Sequence, residues 1–498
     1  MKKSDISDQS RTATPITKIR SIGSSRSSGQ SSTSYRAMSA SDLLKAIERF
    51  RTNKGLDASD PQIALILSLV GDRYHVQGNY DDAIDYLTQA LTMYLELKDQ
   101  ETKITQIHIQ LGLVYIMQKN FPNANKALVQ ALEKAPKSSN VEADIYFHYG
   151  LMYQAQDNYA TAADFFNQSL AIYKRIEKSE STAQVHFHLA SVYMAQNNHV
   201  FAEQHFQKTV DELLDKADKK SDIAEAYLHL GLAQQALKKY PEALNAFQEA
   251  HRQYSALDDQ NYQIGLTQYH LGLLCFEQGC NEDADDWLSK ALPILEDNIV
   301  TSELANALHH LGLIQETKGN LEQALEHWNS ALFHYQSIQM DKEFYTSIET
   351  LLTRIGFAHQ KQENFDDAIG SFHQILELYP DSSSDKATLK TIADAYRRIG
   401  EVHLLAKNPP DAESFLSKAL TIYRTLEDQT AMAQLTELLS PPVPTVLGSI
   451  VPLPSSNPLA TLTSIERCLY YAFFGKPSEA KPNQEPLKSI TNRFFGIC

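Results

Sequence analysis

Small and apolar positions recur in a fixed pattern along the chain. A small residue directly after an apolar one stands at Gly71, Gly112, Gly150, Ala190, Gly231, Gly272, Gly312, Gly356 and Gly400. The steps between these anchors are 38 to 44 residues. Twelve residues after each comes an alanine: Ala83, Ala124, Ala162, Ala202, Ala243, Ala284, Ala324, Ala368 and Ala412. Sixteen residues after each comes a large apolar side chain: Leu87, Leu128, Phe166, Phe206, Phe247, Leu288, Trp328, Phe372 and Leu416. A repeat of this length that carries one small–small–large signature reads as one supersecondary unit copied along the chain. The small residues let two helix backbones approach, and the bulky one fills the space beside the contact. Turn-forming stretches such as Gly78-Asn79-Tyr80, Asp157-Asn158-Tyr159 and Gly319-Asn320-Leu321 separate the two halves. Each unit is therefore expected to be helix, short turn, helix, nine times between residues 60 and 430.

The flanks follow other patterns. Leu43, Leu44, Ile47 and Phe50 share one face of a short helix, placed at 40–55, that would cap the first unit. Residues 440–458 hold six prolines and form a linker that cannot continue the helices. Beyond it, in 459–498, Leu462, Ile465, Leu469, Ala472 and Phe473 make an apolar seam at helical spacing, expected to be an amphipathic helix that covers the end of the array. Residues 1–36, basic and dense in Ser and Thr, read as a disordered arm. That arm could fold back on an acidic body or serve as an export signal.

The pattern resembles the tetratricopeptide repeat family, in Leu111-Gly112-Leu113-Val114-Tyr115 continued by Ala124, Leu128, Ala131 and Pro136. The aromatic three residues after the anchor is kept at Tyr74, Tyr115, Tyr153 and Tyr193 and replaced by Gln234, Cys275, Gln315, His359 and His403. The family period is about 34 residues. The longer spacing here is similar to that of kinesin light chain and of LGN-type polarity adaptors. The resemblance implies an all-α fold, a right-handed superhelical α-solenoid of nine helical hairpins, with first helices lining a concave peptide-binding wall.

On that wall the exposed stripe would follow offsets −6, −2, +1 and +5 from each anchor. The −2 row is histidine in five successive units: His148, His188, His229, His270 and His310. Many relatives carry asparagine there. Neutral imidazole can both donate and accept, so a histidine ladder could hold a peptide main chain, and mild acidification would charge it. The competing reading is a tolerated residue copied with the repeat. Beside it, Leu113, Leu151, Leu232, Leu273, Leu313 and Phe357 form an apolar +1 row that either lines the wall or packs between units. Leucine at these positions replaces the asparagine of chaperone-tail clamps, which argues against that ligand.

Charge narrows the partners. The net charge is −16 overall, but the ends are basic, so residues 37–440 carry about −23. Such a body disfavours nucleic acid and favours basic segments of proteins or peptides. Cys275, Cys280, Cys468 and Cys498 are too scattered for a disulfide framework, which points to a reducing, cytoplasmic setting. His270 and Cys275 lie about 140° apart round a helix, so no metal is expected. The sequence holds no phosphate-binding loop, nucleophile elbow or zinc-protease motif, so no catalytic residue or cofactor is expected. No stretch is long and apolar enough for a transmembrane span. The resulting expectation is a scaffold or adaptor that holds a partner's peptide segment. The alternatives are a ligand-responsive sensor of the Rap type and a secreted effector that binds a target protein.

Overall fold

A computed structural model describes residues 38–54, 61–97, 99–257, 260–297, 302–338, 344–379 and 385–439, without the side chains of 50–54. The arm at 1–36, the linker at 440–458 and the segment 459–498 lie outside the described residues. A leading helix α1 (Ala40–Lys54) is followed by paired helices. These are α2/α3 (Pro61–Val76, Tyr80–Glu96), α4/α5 (Glu101–Met117, Phe121–Lys134) and α6/α7 (Asn140–Gln154, Tyr159–Arg175). Next come α8/α9 (Ser179–Ala195, His199–Leu213) and α10/α11 (Lys220–Ala236, Tyr240–Ser255), then α12 (Asn261–Glu277) and α13 (Asn281–Glu296). The last pairs are α14/α15 (Ser302–Thr317, Leu321–Ser337), α16/α17 (Tyr345–Lys361, Phe365–Leu378) and α18/α19 (Lys386–Leu405, Pro409–Leu426), before a final α20 (Gln429–Leu439). No strand occurs among the described residues. The chain divides into two compact units, α1–α12 ending at Cys280 and α13–α20 beginning at Asn281. Within either unit each helix packs on the helices before and after it.

The anchors make the closest contact of a hairpin. A β-carbon on Gly231 would stand 2.6 Å from the Phe247 ring, and one on Gly312 would stand 2.2 Å from Trp328 Nε1. Gly71, Gly112, Gly150, Gly356 and Gly400 meet their own +16 side chains in the same way. Ala190 is the exception, since it keeps a methyl group beside a fully buried Phe206. Backbones this close bury the alanines at +12 completely: Ala83, Ala162, Ala243 and Ala324 are 0% exposed.

A common turn joins the two helices. The residue at +7 is left-handed after every anchor: Gly78, Lys119, Asp157, Asn197, Lys238, Gly279, Gly319, Glu363 and Lys407. The next amide then reaches back five residues, as from Asn120 to Tyr115 O at 2.8 Å and from Lys239 to Gln234 O at 2.9 Å. This is the Schellman arrangement, which satisfies carbonyls left open at a helix end. Glycine adopts it without strain and the other residues adopt it at a cost.

Helices outside the pairs cover the two ends. On α1, Leu43 and Ile47 are buried against Ile63, Ile66 and Leu67 of α2, and Leu44 is partly buried there. At the other end α20 buries Leu435 against Ala393, Leu416, Ala419 and Tyr423. The amphipathic helix expected within 459–498 lies outside the described residues.

Candidate functional site

The −2 row reads Leu69, Gln110, His148, His188, His229, His270, His310, Arg354 and Arg398. Gln110, His188, His229, His270, Arg354 and Arg398 touch the preceding hairpin. In the first unit, Gln110 Nε2 donates to Asp72 Oδ1 at 2.7 Å. His188 stacks on Phe166, with ring centroids 5.6 Å apart. His229 stacks on Phe206 at 5.4 Å and His270 on Phe247 at 5.6 Å. Phe147 and Phe187 add edge contacts to His188 and His229.

The rule behind these contacts is the residue at +16 of the previous pair. Where it is phenylalanine, the following histidine lies on the ring. Where it is leucine, as at Leu128 and Leu288, the following histidine hydrogen-bonds its own helix. His148 Nδ1 lies 2.6 Å from Asp144 O and His310 Nδ1 lies 2.8 Å from Asn306 O. A carbonyl only accepts, so Nδ1 carries the proton in both and Nε2 is left as an acceptor. His188 Nδ1 is buried with no partner among the described residues.

Packing changes the chemistry expected of this row. His148 is buried, and His188, His229, His270 and His310 are half-buried, so the row is not a freely exposed ladder. Loss of hydration pushes His148, His188, His229 and His270 down to about 4. The rings are neutral at pH 7 and mild acidification does not charge them, contrary to the sequence expectation.

The −6 row also differs from an open stripe. Tyr173 donates its hydroxyl to Asp144, Tyr335 to Asn306 at 2.5 Å and Tyr423 to Asp394, while Tyr379 donates at 3.0 Å to Glu349, one residue before the row. The tyrosines stand 23 residues after their anchors, so each bond ties the end of a second helix to the start of its own first helix. Burial pushes Asp144 up to about 6 against the opposing pull of the Tyr173 hydrogen bond. The +1 row grades from core to surface: Leu113 and Leu151 are buried, Leu232, Leu273 and Leu313 are half-buried, and Phe357 is 42% exposed. No group of three or more His, Cys, Asp or Glu side chains suited to a metal ion occurs among the described residues. No helix among them is long and apolar enough to cross a membrane.

Paired antiparallel helices with small residues at the crossing and a shared Schellman turn define a tetratricopeptide-type protein. The tetratricopeptide repeat profile matches residues 67–101, 141–211, 222–297 and 347–425, and the chain belongs to that family. A kinesin light chain-related protein 1 of Arabidopsis thaliana is 23% identical over 222 residues, which is 43% of this chain and 36% of that protein. The chain thus spans about a third of that relative's length. Among solved structures, the apo form of RapI has a TM-score of 0.54 at 13% identity, covering 74% of this chain and 99% of RapI. A Pyrococcus horikoshii signal-transduction ATPase with a tetratricopeptide repeat sensor has a TM-score of 0.53 at 12% identity, covering 79% of this chain and 57% of that protein. At these identities the likeness is one of fold.

Proposed function

We propose that the chain is a non-catalytic protein-interaction scaffold that holds an extended segment of a partner against the −2 and +1 rows of its first helices. The observation that carries this reading is the incomplete burial of His188, His229 and His270 beside half-buried Leu232 and Leu273. Such a surface offers apolar area with imidazole edges set into it, which suits a main chain with apolar side groups. The rings are already held by stacking, so little side-chain freedom is lost on binding. The acidic body favours segments with basic residues, at rates that fall as salt is added.

The test is titration of a partner, first captured on the full chain, against the His229→Ala/His270→Ala double variant. Loss of two contacts of this kind weakens binding about tenfold or more, equivalent to about 1.4 kcal/mol. Replacement by glutamine, which keeps a donor and an acceptor, recovers part of the loss. Unchanged affinity in the alanine variant, with its helical content intact, removes the rows from the binding surface.

A second reading has one observation in its favour, the fold shared with RapI over nearly all of RapI's length. In that reading a bound peptide changes the arrangement of the hairpins and so regulates a separate target. Small-angle scattering of the full chain separates the two, since a sensor changes its scattering profile on binding and a scaffold keeps it.

A further inference from the structure

Arg398 occupies the −2 row in the last hairpin. Its guanidinium lies over Phe357 and Phe372, 5.5 and 5.9 Å from the ring centroids. These two rings meet edge to face at 5.6 Å. Nη1 donates to Thr353 Oγ1 at 2.7 Å, while the buried Nε has no acceptor among the described residues. No carboxylate among them lies within 4.0 Å of this guanidinium. Arg354, one hairpin earlier in the row, holds Glu316 at 2.9 Å.

The nearby acids are committed elsewhere. Asp394 accepts from Tyr423 and lies 3.8 Å from Arg397. Glu401 holds Arg397 Nη1 at 2.9 Å. Glu349 accepts from Tyr379 at 3.0 Å and from Thr391 at 3.4 Å. A half-buried cation with open N–H groups is costly to maintain, and a carboxylate bonded to its fork removes that cost. Arginine stacked on aromatic rings is also restrained in orientation, so less freedom is lost when the carboxylate arrives.

Resting on the scaffold reading above, we propose that Arg398 and the exposed Phe357 form a seat for an Asp or Glu side chain of a partner peptide, with an apolar neighbour of that residue packed on Phe357. The three surrounding acids set the ligand's charge. With Asp394, Glu349 and Glu401 near the guanidinium, a phosphate dianion meets more repulsion there than a single carboxylate does. The same acids and the negative body reject runs of Asp or Glu, so the seat selects an isolated acid.

The experiment selects dodecapeptides from a phage-displayed random library on the full chain and titrates the winners by fluorescence anisotropy. Winners are expected to carry an isolated Asp or Glu next to an apolar residue. Arg398→Gln is expected to weaken them at least tenfold, and Arg398→Lys less. Replacing the peptide's acid by its amide costs about as much, and the two changes together cost little more than either alone. Thermal unfolding of Arg398→Gln is expected at the same temperature as the parent or above, since an unpaired charge is removed.

Winners that bind the chain but lack an acid, or that bind Arg398→Gln equally well, overturn the seat and leave the scaffold reading standing. An unfolding temperature clearly below the parent's assigns Arg398 to packing and also overturns it. A chain that retains no peptide at all removes both readings. A synthetic peptide of residues 459–474, which contains Glu466, is titrated in parallel. Binding of that peptide, lost in Arg398→Gln, would assign the seat to the chain's own segment and overturn the partner assignment.

Discussion

The imidazole of His188 lies nearly flat on the ring of Phe166, 5.6 Å between centroids and 22° between planes, although the two belong to different hairpins. One aromatic residue therefore decides whether the next hairpin's histidine is a stacking partner or a hydrogen-bond donor to its own helix. Phe166→Leu reproduces the setting of His148 and His310. The variant is expected to lose roughly 1–2 kcal/mol, from removed ring area and the lost pair. The His188 ring is then expected to turn Nδ1 toward the carbonyl of Gln184. Imidazole 15N shifts report that turn, and an unchanged His188 spectrum with unchanged stability contradicts it.

Gly312 is tighter than Gly71, Gly112, Gly150, Gly231, Gly356 or Gly400. A methyl group there meets the indole of Trp328, which is fully buried and also donates to His309 O at 3.3 Å. Alanine adds about 1 kcal/mol of helix propensity. Overpacking against a rigid buried ring costs about 1–3 kcal/mol and wins. Gly312→Ala is expected to lower the urea midpoint. Ala190→Gly, where the native chain already accommodates the methyl group, loses about the propensity alone.

The left-handed turns offer the opposite change. Lys238 is held at φ 59° by the hairpin, and a β-carbon is strained there. Lys238→Gly is expected to stabilise the chain by about 0.5–1 kcal/mol, after allowing for the greater freedom of glycine in the unfolded state. A lower melting temperature in this variant contradicts the account of the turn.

Acid acts through the buried rings. His148, His188, His229 and His270 stay neutral in the fold down to about pH 4, whereas in the unfolded chain they protonate from about pH 6.5. Between those values the unfolded state binds more protons, so the stability these rings contribute is complete above about pH 6.5 and is lost as the pH falls to about 4. Asp144, pushed up to about 6, works the other way: its contribution is complete below its ordinary value near 3.8 and is lost as the pH rises through 6. Four rings outweigh one carboxyl. The urea midpoint is expected to fall steadily from pH 7 to pH 4.5, and to fall less when the four histidines are replaced by glutamine. An equal fall in the two proteins contradicts the burial of the rings.

The hairpins were legible because each contact leaves two marks at a fixed separation, as in Gly231 and Phe247. The histidine row was legible as a row. Its burial was not, since the covering ring belongs to the second helix of the previous hairpin and shows only once the pairs are stacked. The tyrosine ties escaped for a related reason: Tyr173 and Asp144 stand 29 residues apart, beyond the register that the anchors define. The turn residue was visible where glycine occupies it, at Gly78 and Gly319, and hidden where Lys119, Lys238 or Glu363 takes the same conformation. Arg398 was passed over because nothing in its neighbours' names shows that their carboxylates are already engaged.

The central claim is that a partner lies on the first-helix rows, and covalent labelling of histidine by diethyl pyrocarbonate at pH 7 tests it directly on the full chain. Neutral imidazoles react, so the free chain reports the remaining accessibility of His229 and His270. With partner bound, both are expected to label several-fold more slowly, while His199 on the second helix α9 is unaffected. Equal labelling of His229 and His270 in the free and bound chain, with His199 protected instead, would contradict the account.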